Sequence, residues 1–314
     1  MSIPILVGLA VGEGDLVPLA EASEVAAAAQ AAGVTALRLL DSLGGRPAVD
    51  PSVVAGYLAG RHGDLGYVVD VPTSHNAPYN TARRVLSLDR AGAGRVGVAL
   101  RAGGGDEVSD GSARSAPDVP VDERWAEYAE VLTRLWESFP RAALVGDQER
   151  AIVVDDTLVR RIDHVSPAYR VAGPLDGPSS VQGRPVLVAA DVDVVGWPAV
   201  AASADVVVVE RPFSRGADDA LTAALAVAGR RRDEVALIGR AEVDVVDGDA
   251  AALTHELLGW LDADRLDGLE LVPGGGARGV LATVRALVPL LDARPTSTTL
   301  RAALRLPETA GVPA

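Results

Sequence analysis

Eight apolar runs of strand length, each followed by a helical pattern, constrain this chain more than any other feature. They are PILVGLAV (4–11), ALRLLD (36–41), LGYVVDV (65–71), RVGVAL (95–100), RPVLVAA (184–190), DVVVVE (205–210), EVALIG (234–239) and LDGLELV (266–272). Each reads as apolar on both faces, the pattern of parallel strands covered by helices. The helix after the first run is Ala-rich, around 18–32. The one after the second run opens with Asp50 as N-cap and Pro51 at its first position. Eight β–α units in roughly 290 residues fit a closed α/β barrel, the (β/α)8 TIM barrel, better than an open sheet of about six strands.

Two segments break the rhythm. Residues 101–121 read as a polar Gly/Ser/Asp loop, and residues 151–183 as an insertion with a small hairpin before the fifth strand. A tail from 293 to 314 carries TTLRAALRLP, and the composition stays uniform throughout, so one domain over 1–314 is expected. The net charge of −14 argues against a nucleic-acid partner, because phosphate binding needs a basic patch. Every basic residue is Arg, which removes Schiff-base and P-loop lysine chemistry. The absence of Cys removes thiol catalysis, thiolate metal sites and disulfides. No segment approaches the roughly 18 apolar residues of a membrane span, and MSIPILVGLAVGEGD lacks the basic start of a signal peptide. These readings predict a protein that is soluble and cytoplasmic.

One stretch differs in character from the Ala/Val-rich remainder. HNAPYNTARRVLSLDRAGAGR (75–95) packs Asn, Arg and Tyr into a loop, a helix from about Pro78 and a glycine exit. It resembles the loop and third helix of the luciferase-like flavin monooxygenases, in the branch of nitrilotriacetate monooxygenase and the desulfurisation sulfone monooxygenase. RIDHVSPAYRVAGPLDGPSSVQGRPVLVAA (161–190) resembles a further segment of that branch, the most specific of the matches. DERWAEYAEVLTRLWESF (122–139), DGLELVP (267–273) and TTLRAALRLP (298–307) are similar to its fourth helix, last strand and tail. The resemblance implies a luciferase-like barrel that uses reduced FMN and oxygen on a small organic substrate, with the deazaflavin F420 as a rarer cofactor and a flavin reductase as supplier. It also implies that Tyr79, Arg83 and Asp89 are framework residues locking the third helix to the barrel rim.

Active sites of such barrels lie at the C-terminal strand ends. There the resemblance places cofactor contacts at Asp41, Asp70, Thr73, Ala99, Arg101, Asp191, Val192, Asp193 and Gly196, and a catalytic candidate at His75. The departures from the branch lie in the same places. Ala99 stands where the branch has an Asn beside the flavin. The turn after strand five reads DVDVVG (191–196) where the branch has a Gly/Ser turn cradling the FMN phosphate, so only Gly196 remains. A carboxylate about 4 Å from a phosphate charge costs up to roughly 4 kcal/mol at an effective dielectric near 20. A micromolar ligand holds only about 8 kcal/mol in total. The FMN-phosphate site is therefore degenerate in sequence.

The other charged residues expected at the mouth are Glu210, Arg211, Arg240 and Glu242. A salt-bridge network with Arg101 neutralising Asp70 or Asp191 is one reading of them. An oxygen-ligand metal site from Asp41, Asp70, Asp191 and Asp193 is another. Two functions from different classes follow: a flavin-dependent oxidoreductase with a modified pocket, or a cofactor-free relative that binds a small ligand or a partner subunit. A homodimer, or a pairing with a paralogue, is expected through the helices carrying SVVAGYLAG and ARRVLSL.

Overall fold

The structure is a computed structural model that describes residues 2–74, 76–103, 119–245, 248–295 and 298–309. Its eight parallel strands are β1 (Ile5–Leu9), β2 (Ala36–Leu39), β3 (Gly66–Pro72), β4 (Val96–Arg101), β5 (Val186–Ala189), β6 (Val206–Glu210), β7 (Ala236–Val243) and β8 (Gly268–Pro273). They close into a barrel in chain order, with β8 pairing back onto β1. The helices outside include α1 (Leu19–Ala31), α2 (Pro51–Ala59), α3 (Pro78–Ala91) and α4 (Val121–Glu137). Later come α5 (Trp197–Ser203), α6 (Ala217–Val227), α7 (Ala250–Ala263) and α8 (Gly276–Ala282). Among the described residues no helix is long and apolar enough to cross a membrane. Local chemistry starts these helices where it should. Asp50 accepts the Ser52 N–H at 2.8 Å, and Asp249 accepts the N–H groups of Ala251 and Ala252.

Alternation along each strand sends one set of side chains outward to the helices and the other into the barrel. The inward set begins as a dry cluster of Leu6, Ala36, Val68, Ala99, Val186, Val188, Val206, Val208 and Ile238. Higher up it turns ionic, which corrects the expectation of strands apolar on both faces. Arg38 and Glu270 sit inside β2 and β8, fully buried. Strand β7 also runs four residues past its expected end, so Arg240 and Glu242 are strand residues, paired in register with Glu270 and Val272. Charged side chains there are compatible with a strand because Arg38, Asp70, Arg240 and Glu270 each meet an opposite charge.

The base of the barrel is closed by the late tail. Leu300, Leu304 and Leu306 join the interior cluster from below. Leu300 fills the space that Gly66 and Gly97 leave, since a Cβ there would lie 3.1 and 3.3 Å from its methyl groups. Asp205 holds the tail in place, accepting both Nη groups of Arg301 at 3.0 and 3.2 Å and both of Arg184 at 2.8 and 2.9 Å.

The insertion contains two hairpins where one was expected, and the first begins before residue 151. It pairs Leu144–Asp147 with Ile152–Val154; the second pairs His164–Val165 with Arg170–Val171. The boundary was missed because the first hairpin is too short and too exposed for strand periodicity to mark it. The segment that follows is where the 75–95 stretch finds its partners. The Tyr79 hydroxyl donates to Pro174 O, Arg83 pairs with Asp176 at 2.5 Å, and buried Asp89 accepts from Ser180 Oγ, Gln182 Nε2 and the Val96 N–H. These three residues tie α3 to the insertion and to the start of β4.

Candidate functional site

At the upper end of the barrel one chain of ion pairs links residues of six strands and the turn after β5. Arg38 lies at its centre, with Nε 2.8 Å from Asp70 and Nη1 2.8 Å from Glu270, and all three side chains are fully buried. From Glu270 the chain continues to Arg240 at 3.5 Å and on to Glu210 at 3.4 Å. From Asp70 it continues to Arg101 at 3.4 Å, which clamps Asp191 at 2.8 Å and approaches Asp41 at 3.9 Å. Three arginines thus face five carboxylates, leaving two negative charges in excess.

The excess is not spread evenly. Burial alone would lower the pKa of Arg38, but Asp70 and Glu270 outweigh it and hold the guanidinium charged. Asp41 and Glu210 stand at the ends of the chain; Asp41 shares Arg101 with Asp70 and Asp191, and Glu210 shares Arg240 with Glu270. Burial, and then the like charge of Asp70, raise Asp41 above the usual carboxylate range, with Arg101 opposing only in part. Burial also raises Glu210, helped by Glu270 and Glu242 and opposed by Arg240. These two ends are half-open to solvent, so the surplus charge is presented outward.

The expected cofactor contacts fall into three groups. Asp41, Asp70, Arg101 and Asp191 are brought together as described. Thr73 is buried and donates its hydroxyl to Ala102 O at 2.7 Å, tying the β3 and β4 ends. Ala99 is fully buried in the dry inner cluster beneath the ionic layer. Val192 is buried, Asp193 is exposed, and Gly196 ends a single helical turn, Val192–Val195, at a φ of +77° that suits glycine. His75, the catalytic candidate, lies outside the described residues.

The turn after β5 allows a direct test of whether a phosphate fits. The N–H groups of Val194 and Val195 donate to Asp191 O, and that of Gly196 donates to Val192 O at 2.8 Å. The Asp191 carboxylate meanwhile takes the Ala102 N–H at 2.7 Å together with Arg101 Nε. The N–H groups of Val194, Val195, Gly196 and Ala102 and the Nε of Arg101 are thus engaged within the protein, and Asp193 adds an exposed acid. An anion at this turn would meet these internal bonds and the Asp193 carboxylate. A metal site fares no better: among the described residues no group of three or more His, Asp or Glu side chains is placed to hold an ion. The physical reason is that Asp41, Asp70 and Asp191 each turn towards an arginine.

Several charged residues prove to lie elsewhere. Arg211 pairs with Glu256 at 2.7 Å and stacks on Trp260, away from the mouth. His164 binds Glu127 at 2.7 Å and joins the second hairpin to α4, while His62 meets Ser23 at 2.9 Å between helices. Sequence reasoning missed Arg38 and Glu270, the two residues at the heart of the network. Their signal was a single charge in the middle of an apolar run, ALRLL and GLELV.

A barrel of this connectivity, with this β5 turn and this insertion, invites comparison with known proteins. The family model for luciferase-like monooxygenase matches residues 1–270. The chain belongs to that family. It is 28% identical over 233 residues to dibenzothiophene-sulfone monooxygenase of Rhodococcus erythropolis, covering 70% of this chain and 50% of that protein. It is 29% identical over 212 residues to a pristinamycin IIA synthase subunit of Streptomyces pristinaespiralis, covering 67% and 69%. The solved EDTA monooxygenase of Chelativorans sp. BNC1 superposes with a TM-score of 0.82 at 19% identity, over 100% of both chains. The match thus spans only half the length of the sulfone monooxygenase.

Proposed function

We propose that this luciferase-like protein receives a small organic ligand at the barrel mouth through an altered cofactor site, holding FMN weakly at best. The observation that carries this reading is the Asp191 carboxylate seated on Arg101 Nε and the Ala102 N–H. It takes up, from within the chain, the donors that an anionic group would need. The mouth then offers mainly acceptors, at Asp41 and Glu210, to a ligand that brings hydrogen-bond donors or positive charge.

This reading makes the chain a ligand-binding, non-redox member of a flavin-dependent family, paired with another protein that keeps the flavin chemistry. The likeness to a protein named as one subunit of a synthase supports such a division. The second reading, flavin-dependent oxidation of a small substrate with flavin supplied by a reductase, draws its support from family membership over residues 1–270. Fluorescence titration separates the two. The first expects colourless purified protein and an FMN dissociation constant above about 1 μM. Yellow protein that holds FMN below that value would overturn it.

A further inference from the structure

In the stretch from Arg83 to Arg95, three arginines have carboxylate partners: Arg83 pairs with Asp176, Arg84 with Asp50 and Arg95 with Asp64. Arg90 does not, and neither does Arg141. Among the described residues these two guanidiniums make no ion pair and no hydrogen bond. Both line one cavity of about 440 Å³, together with Ser87, Ala91, Ser180 and Val181. Ser87, Arg90 and Ala91 lie in the last turns of α3, and Arg141 follows α4. The cavity is on the base side of the barrel, since Asp89, beside Arg90, accepts the N–H of Val96 at the start of β4. Two contacts root the arginines there. A Cβ on Gly177 would stand 2.8 Å from Arg90 Nη1, so the glycine admits that guanidinium. The Arg141 N–H donates to Ser179 Oγ at 2.9 Å. No carboxylate lines the cavity, and fully buried Asp89 spends its oxygens on Ser180, Gln182 and Val96. An arginine in the last turn of a helix complements the helix dipole, which accounts for Arg90 alone. It does not account for Arg141.

We propose that this cavity is a second binding site, which takes the phosphate group of a small molecule. On a chain with a net charge of −14, a cavity with two positive side chains and no acid stands apart. A guanidinium presents paired donors that match two phosphate oxygens, and two such groups match a dianion. The Ser87 hydroxyl, which donates to Arg83 O at 2.7 Å, can turn to a further oxygen. Arg90 and Arg141 are both exposed, so a ligand reaches them without breaking a buried pair. At the mouth, by contrast, carboxylates are in excess. The two ends of the barrel thus take ligands of opposite charge, and this site does not depend on what the mouth binds.

Calorimetric titration of the full chain with ribose 5-phosphate, inorganic phosphate and ribose tests the site. Ribose 5-phosphate is expected to bind with a Kd below about 1 mM, and ribose not to bind. Tighter binding of the ester than of inorganic phosphate would assign a phosphorylated organic ligand, and equal binding the free ion; both support the site. Arg90→Gln and Arg141→Gln should each weaken ribose 5-phosphate at least tenfold, with little change in melting temperature. Arg170→Gln is the charge control, because it removes an exposed arginine of the second hairpin, outside the cavity. It should leave the affinity unchanged. Absence of phosphate binding at millimolar concentration, an equal loss in Arg170→Gln, or full affinity in both cavity variants would each overturn the proposal.

Discussion

The two ends of the barrel handle buried charge in opposite ways. At the base, Asp205 is enclosed by Arg184 and Arg301 and also accepts the Leu187 N–H at 2.9 Å. Burial would raise its pKa, but the two arginines and these hydrogen bonds hold it down to about 2. At the mouth, three arginines are divided among five acids, and the outer two are pushed up. A fully matched carboxylate is a lock. An under-matched one keeps capacity for something from outside, and only the end with the surplus lies at the functional face of this barrel type.

The largest effect should come from breaking the lock. Asp205→Asn leaves Arg301, only 4% exposed, without its counter-charge, and the loss should be about 3–5 kcal/mol in urea unfolding. The pH dependence has a fixed sign. Because the folded pKa of Asp205 lies below the ordinary unfolded value of about 3.9, its stabilisation is complete above that value. It is lost as pH falls through the window towards 2, and the Asn variant should lack that component of acid unfolding. A wild type and variant of equal stability at neutral pH would erase the distinction between the two ends.

A smaller loss is expected where the dry cluster meets the ionic layer. Ala99→Asn adds bulk and an amide to a fully buried site and should cost about 1–3 kcal/mol by the same measurement. A neutral result would mean that the layer has room for a polar ligand atom at that depth.

Next in size is repair of the β5 turn. Asp191→Gly with Asp193→Ser removes two acids and frees Arg101 and the Ala102 N–H, so FMN affinity should rise at least tenfold, about 1.4 kcal/mol. Riboflavin, without the phosphate, should respond little. If both flavins gain equally, the cause is pocket shape and the electrostatic account fails.

The smallest effect is the pH response of the mouth itself. As pH is lowered from 7, Asp41 and Glu210 take up protons before ordinary carboxylates do, which reduces the surplus. FMN binding to the wild type should then strengthen by roughly two- to fivefold, the scale of a screened exposed pair. Weakening over that interval would assign the surplus a different role.

The barrel was legible in the sequence because each strand is a compact apolar run, and the period of β–α units does the counting. The family was legible because segments far apart, 75–95 and 161–190, carry motifs that turn out to hold one another through Tyr79, Arg83 and Asp89. The site was legible only at its rim. Asp41, Asp70, Arg101 and Asp191 stand at strand ends, where a barrel directs attention. Arg38 and Glu270 were hidden because strand periodicity assigns a lone internal charge no partner, and the partner lies 232 residues away in the chain. The hairpin at Leu144–Val154 was obscured for a different reason, since so short a sheet leaves almost no periodic trace.

The fit of Leu300 against Gly66 and Gly97 also sets an order of events in time. Those glycines are synthesised roughly 200 residues before the side chain that fills the space above them. At about 5–20 residues per second, ten seconds or more of synthesis separate these glycines from their stopper. The barrel can close only once β8 has been made, so its apolar lower end stands open from then until Leu300 follows about 27 residues later. Arrival of the Leu300–Ala303 helix covers that end and, through Arg301 and Asp205, fastens the lid behind it.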